Sequence, residues 1–253
     1  MNKALILANL HLHAVLPRLE ELVKLDSEAK AIAQKLNLSI KFLVRGGPSV
    51  VLTFKDGNVT ANTDGEGKAD IGLLFLSCDQ LNALFTGGKA IPIPYKGIIK
   101  IGAMKHFGKL TEMLTKYLKP SDEDMKDAAF RAKHVEMSLM TGLSGAITIA
   151  KYDTKMQKVV NHLPDGTILF SVLPDGPYAN VSVERKNIIV KNGFIENSTT
   201  TLEMNGVDLA ADMFADKLDT FAALGAGEIR ASGLLTLGDE FNALVDRVSY
   251  YLV

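Results

Sequence analysis

The chain has 253 residues, 47% of them hydrophobic and 23% charged, with a formal net charge of -1. Its one cysteine, Cys78, excludes an internal disulfide framework and any multi-cysteine metal site, and the lack of Trp with only 7% aromatic residues argues against a base-stacking platform for single-stranded nucleic acid. No apolar run reaches the roughly 18 residues of a membrane span, so the sequence reads as a cytoplasmic globular protein of one large domain or two smaller ones.

Taken in order, residues 2–37 read as helical. The run ALILANL after Lys3 is broken by His11 and His13, which marks a helix and not a leader peptide. Pro17 opens a second helix at a position where a missing N–H is harmless. Short alternating runs follow as strands: SIKFLV, SVVLTF and NVTAN, with Asp56-Gly57 turning between the last two. ADIGLLFL is a fourth strand leading into the helix CDQLNALF, which stops at Gly87-Gly88. After the Pro-rich IPIPYK, GIIKI is a fifth strand and residues 104–118 a closing helix.

The same series then recurs. Residues 121–162 are helical, with a capping box at Ser121 and Asp124. TILFSV, ANVSV, IIVKN and TTTLEM are strands, VDLAADMF a helix, GEIRAS a strand, and a last helix ends the chain. Ile40, Phe42 and Val44 return as Ile168, Phe170 and Val172; Phe54 and Asn58 return as Val183 and Asn187. Gly97, Ile99 and Lys100 are matched to Gly227, Ile229 and Arg230. These shifts stay between 128 and 130, so the chain reads as a tandem of two units, 1–120 and 121–253. Helices alternating with a strand meander specify an α+β class. Apolar stripes at helical period (Phe107, Leu110 and Leu114; Leu237, Phe241 and Leu244) lay each closing helix on its sheet.

The stretch from Phe54, FKDGNVTANTDGEGKADIGLLFLSCDQLNALFTGGKAIPIPYKGIIKIGAMKHFGKL, resembles the sterol carrier protein type-two domain. Its pattern is a DG hairpin, a strand, an Asp-x-Leu helix, a Gly-Lys, a Gly-x-hydrophobic-Lys-hydrophobic segment and an amphipathic helix. Gly227 to Gly233 with LLTL resembles its late signature again, so the likeness covers about residues 40–118 and 168–250. The second copy lacks the Gly-Gly before Lys217, and Ala103 and Leu234 stand where the family usually has an acidic residue. The resemblance implies two tandem sterol-carrier-like domains, each a five-stranded, mostly antiparallel sheet covered by helices. It also implies an internal tunnel for a lipid or fatty-acid-like ligand. The residues it places around that ligand are Leu81, Phe85, Met104, Phe107 and Met113, with Leu209, Met213, Phe214, Phe221, Leu234 and Phe241 in the second copy. From the residues alone, the same side chains read as plain core, and only the resemblance turns them toward a pocket.

Catalytic chemistry finds no footing. The five histidines show no metal spacing, and each reads as a surface or capping residue; Cys78 reads as an inert thiol. No nucleophile elbow or phosphate-binding loop is present. The expectation is therefore a non-enzymatic protein with no cofactor, no metal and no nucleic-acid partner, binding or transferring a lipid-like molecule. The alternatives are a structural or interaction module with self-filled cores and, more remotely, an accessory domain of an enzyme. Charge adds one clue: residues 1–120 carry 16 basic and 10 acidic side chains, against 12 and 19 in residues 121–253. Lys105, Lys109 and Lys116 lie opposite the apolar stripe of the first closing helix. They suit transient contact with an anionic membrane, an ordinary solvated face, or packing against the acidic half.

Overall fold

The computed structural model describes residues 3–252; the expected helix start at Asn2 lies outside them. The chain forms two compact units, one ending at Lys116 and taking in Tyr251 and Leu252, the other running from Tyr117 to Tyr250.

In the first unit, α1 (Lys3–Leu10), α2 (Leu19–Leu25) and α3 (Ser27–Ala33) precede the sheet. Pro17 does not break the helix where the sequence suggested a new one. Having no N–H, it cannot close a turn onto the carbonyl four residues back. The backbone instead widens into a π turn at His11–Val15, with the Leu16 N–H donating to His11 O, and then tightens into a 3-10 turn at Leu16–Arg18. Asp26 caps α3 by accepting from the N–H groups of Glu28 and Ala29.

The strands β1 (Leu38–Val44), β2 (Ser49–Lys55), β3 (Asn58–Asn62), β4 (Ile71–Phe75) and β5 (Ile93–Lys96) form one sheet in the order β3-β2-β1-β4-β5. All neighbours are antiparallel except β1 and β4, which run parallel. Asp56 and Gly57 both take positive φ (51° and 78°), the turn that their identity demands. Between β4 and β5 lies α4 (Cys78–Phe85), capped by Ser77, and α5 (Met104–Leu118) closes the unit. Phe42 and Phe75 stack at 6.3 Å on the inner face of the sheet. Phe107 of α5 lies over that face, 5.5 Å from Phe42 and 6.2 Å from Phe54 between ring centroids.

The second unit repeats this arrangement. After the 3-10 turn Asp124–Lys126, α6 (Ala128–Tyr152) is a single 25-residue helix, followed by α7 (Gln157–His162). The capping box forms: Ser121 N–H donates to Asp124 Oδ2 and Asp124 N–H to Ser121 Oγ, both at 3.2 Å. The strands β6 (Gly166–Val172), β7 (Tyr178–Glu184), β8 (Asn187–Asn192), β9 (Thr200–Met204) and β10 (Ile229–Gly233) form a sheet in the order β10-β9-β6-β7-β8, which is the first order read from the other edge. The helices α8 (Val207–Phe214), α9 (Thr220–Gly225) and α10 (Leu235–Leu252) complete it. The fold is thus α+β, with two five-stranded mixed sheets covered by helices.

The central strands of the two sheets match in register. Ile40 faces Leu52 and Ile71, and Ile168 faces Val181 and Thr200. One sequence match is corrected. GIIKI is not a strand: residues Ile98–Ala103 form a 3-10 helix, and the fifth strand lies earlier, in the Pro-rich Ile93–Lys96. Gly97 therefore corresponds to Gly233 and not to Gly227. Both have positive φ (73° and 87°), and a Cβ on either would stand 2.1 Å from the backbone carbonyl oxygen of Asp70 or Thr199 respectively. A longer connection through α9 before β10 is offset by the missing 3-10 helix after it. The overall shift returns to 130 at Leu237, which hides the displacement.

Candidate functional site

The eleven residues expected around a ligand take three different positions. Leu81, Phe107 and Phe241 are buried. Phe107 packs on Phe42 and Phe54, and Phe241 lies 6.1 Å from Phe170, so these two rings fill the space between helix and sheet. Met104 and Met113 are half-buried on α5. Phe85 is half-buried and stacks on the His11 ring at 4.5 Å. His11 is itself buried, with Nδ1 3.1 Å from Asn82 Oδ1, and is no surface histidine. Leu209, Met213 and Phe214 come together on α8 beside a buried cluster of Val135, Val172, Met204, Ala210 and Ala211. Phe221 (88% exposed) and Leu234 (41%) stand on the surface instead.

Phe214 alone of these borders an open cleft of about 610 Å³ in the second unit, between the segment 118–125, α6 and α8. That volume lies within the range of small-molecule sites. Its apolar wall is Leu118, Pro120, Met125, Ala211, Phe214 and Ala215. Lys119, Arg131 and Lys217 face Asp122, Asp208 and Asp212, so the ionic lining is balanced and selects neither a cation nor an anion.

Arg131 holds the cleft together. Its Nε donates to Asp208 Oδ1 at 2.7 Å on α8, and its Nη1 to the carbonyls of Met125 (2.7 Å) and Lys126 (3.2 Å). Lys217 Nζ lies 3.3 Å from Asp122 Oδ1; both side chains are well exposed, so this pair contributes little and parts readily.

His134, one turn along α6 from Arg131, is the polar group that the sequence reading missed. It is 3% exposed. Its Nδ1 lies 2.7 Å from Tyr117 O, and because a carbonyl only accepts, that nitrogen carries the proton. Nε2 is then a hydrogen-bond acceptor, buried and without a partner among the described residues. Burial pushes the pKa of His134 down, against the smaller opposite effect of the Tyr117 bond. The unfolded chain thus takes up a proton near pH 6.5, where the folded one refuses it. Stability of the second unit is expected to be full above about pH 6.5 and to decline as the pH falls below it. His134→Asn, which keeps a donor toward Tyr117 and does not titrate, should flatten that decline; denaturant midpoints at pH 7 and pH 5 measure it. The spacing Arg131–His134 on one helix face was the available signal, but nothing in residues 121–162 tied it to a second element.

Cys78 is half-buried at the start of α4, and burial first, then Asp79, pushes its thiol pKa up, as befits an inert side chain. Among the described residues no group of His, Cys, Asp or Glu is arranged to hold a metal ion, and no helix is long and apolar enough to cross a membrane.

The sequence matches no protein-family model and no curated protein. Among solved structures, the chain is similar to sterol carrier protein domain 2 of Helicoverpa armigera (17% identity, 45% of this chain and 89% of that one, TM-score 0.35). It is also similar to palmitated SCP2L2 from Aedes aegypti (19% identity, 41% and 91%, TM-score 0.27). A third likeness is to a sec-alkylsulfatase from Pseudomonas sp. (13% identity, 64% and 31%, TM-score 0.27).

Proposed function

We propose that the chain is a non-enzymatic carrier of a lipid-like amphipathic molecule, held in the cleft of the second unit. The observation that carries this reading is the buried Nε2 of His134, an acceptor with no partner among the described residues, beside a cleft of mixed apolar and charged lining. An unmet buried acceptor costs about 1–3 kcal/mol, which a hydroxyl-bearing head group would recover on a side-chain shift that opens Nε2 to the cleft. An alkyl body along Met125, Ala211 and Phe214 gains about 0.8 kcal/mol per methylene removed from water. The balanced charge of the lining favours an uncharged head. Delivery to a membrane would use the exposed Lys105, Lys109 and Lys116 of α5, and changing all three to Glu should weaken anionic-vesicle binding.

Native mass spectrometry of protein purified without detergent should show a bound lipid, and a fluorescent long-chain alcohol should bind. Ala215 is exposed on the cleft wall, so Ala215→Trp should weaken that binding at least about tenfold with little change in unfolding midpoint. Absence of both the adduct and probe binding sinks the reading.

A second reading has its own support in the first unit. Phe42, Phe75 and Phe107 are 2%, 0% and 7% exposed and fill the space between sheet and α5, as expected of a module with a self-filled core. That unit then serves to present a surface.

A further inference from the structure

Among the described residues, the first unit exposes an apolar strip that its core does not explain. Ile91 (82% exposed), Ile98 (64%) and Ile99 (101%) stand out, flanked by Ile93, Tyr95 and Ile101. These residues run from the approach to β5 through the 3-10 helix Ile98–Ala103, which has no buried residue. A run of exposed isoleucines costs solubility and marks an interaction site.

Two features narrow the occupant. β5 is the edge of its sheet and carries Pro94, with Pro92 just before it. Proline removes the N–H that an incoming strand would need, so pairing with a further protein strand is opposed. The second feature is charge. Between Asp79 and Glu112 the chain has no carboxylate, but carries Lys89, Lys96, Lys100, Lys105 and Lys109. Lys100 is held by Asp70 at 2.6 Å, while Lys89 and Lys96 are exposed beside the isoleucines. Apolar side chains set in a field of one positive sign fit the interface of an anionic bilayer, with the lysines at the phosphates and the isoleucines below them.

We propose that the segment from Ile91 to Ile101 is a membrane-docking edge that inserts shallowly into anionic lipid. It deepens the membrane contact read for α5 but stands on a different observation: α5 supplies charge alone, and this edge supplies insertion.

The test uses the full chain with vesicles of phosphatidylcholine containing about 30% phosphatidylserine. Ile98→Ser with Ile99→Ser, both on exposed sites, should weaken flotation at least about tenfold and abolish the part that survives about 0.5 M salt. Lys105→Glu, Lys109→Glu and Lys116→Glu together should remove mainly the salt-sensitive part. Because the chain has no Trp, Ile99→Trp gives a single reporter whose emission should shift to the blue on adding these vesicles. Isoleucine variants that float like the parent, or a reporter that does not shift, overturn the docking edge while leaving the α5 reading standing. Loss of flotation in the isoleucine variants alone overturns the α5 reading and keeps the edge. Self-association of the parent that Ile99→Ser abolishes, with no vesicle binding, assigns the strip to a second copy and also overturns it.

Discussion

Gly97→Ala and Gly233→Ala should each destabilise their own unit by about 3–5 kcal/mol, a large share of the 5–15 kcal/mol that keeps an ordinary domain folded. Two costs add. An L side chain at φ of 73° or 87° pays about 1–2 kcal/mol in the left-handed region. The new Cβ would also stand 2.1 Å from the backbone carbonyl oxygen of Asp70 or Thr199, the residue just before β4 or β9, which moves only if that strand's start shifts. Gly227→Ala separates these costs, since Gly227 has φ of 73° but open space around its Cα, and should lose only the first. Gly102→Ala, with neither constraint, should be nearly neutral. Denaturant unfolding of the four variants measures the series. Equal losses at Gly97 and Gly227 would contradict the assigned correspondence.

Arg247→Ala should cost the second unit a comparable amount, about 3–5 kcal/mol. Asp153 is buried, its side chain 2% exposed, where the chain leaves α6. One oxygen accepts from the Lys155 N–H at 2.9 Å and the other from Arg247 Nε at 2.8 Å. Removing the guanidinium takes a positive charge from beside a buried carboxylate and takes from Tyr250 a cation lying 4.4 Å from its ring centre. Adding Asp153→Asn to Arg247→Ala should restore much of the loss, because the amide oxygen still accepts from Lys155 and no charge is left behind. Thermal unfolding of the single and double variants tests this; a double variant no better than the single would show that lost packing dominates.

The contrast with Asp26 shows what kind of information the sequence holds. Asp26 and Asp153 both donate their own N–H to a carbonyl of the preceding helix, Leu22 O and Ile149 O, and both cap the next turn, a local chemistry visible in residue type and spacing. That Asp153 also meets Arg247 needs the fold, since 94 residues separate them. The same division runs through the molecule. The strands of β1 to β4 and of β6 to β10, the DG turn, the capping box and the helix stripes follow from periods and turn chemistry, and all were legible. β5 was not, because two prolines disguise an edge strand as a crossing. His134 was not, because its importance lies in a cleft assembled from α6, α8 and the segment before them. The resemblance put Phe221 and Leu234 among the lining residues, but nothing in a linear pattern tells an apolar side chain that faces inward from one presented outward.

The pair of offsetting length changes around β10 has a practical consequence for engineering. A hybrid that joins the first half of one unit to the second half of the other, cut at the apparent repeat boundary of Gly97 and Gly227, would carry either two outer strands or none. Spliced at Gly97 and Gly233, the same exchange keeps every strand and both carbonyl-facing glycines, and transfers the 3-10 isoleucines as one cassette with their closing helix. The correct join is thus set by a backbone contact, six residues away from where letter matching would put it.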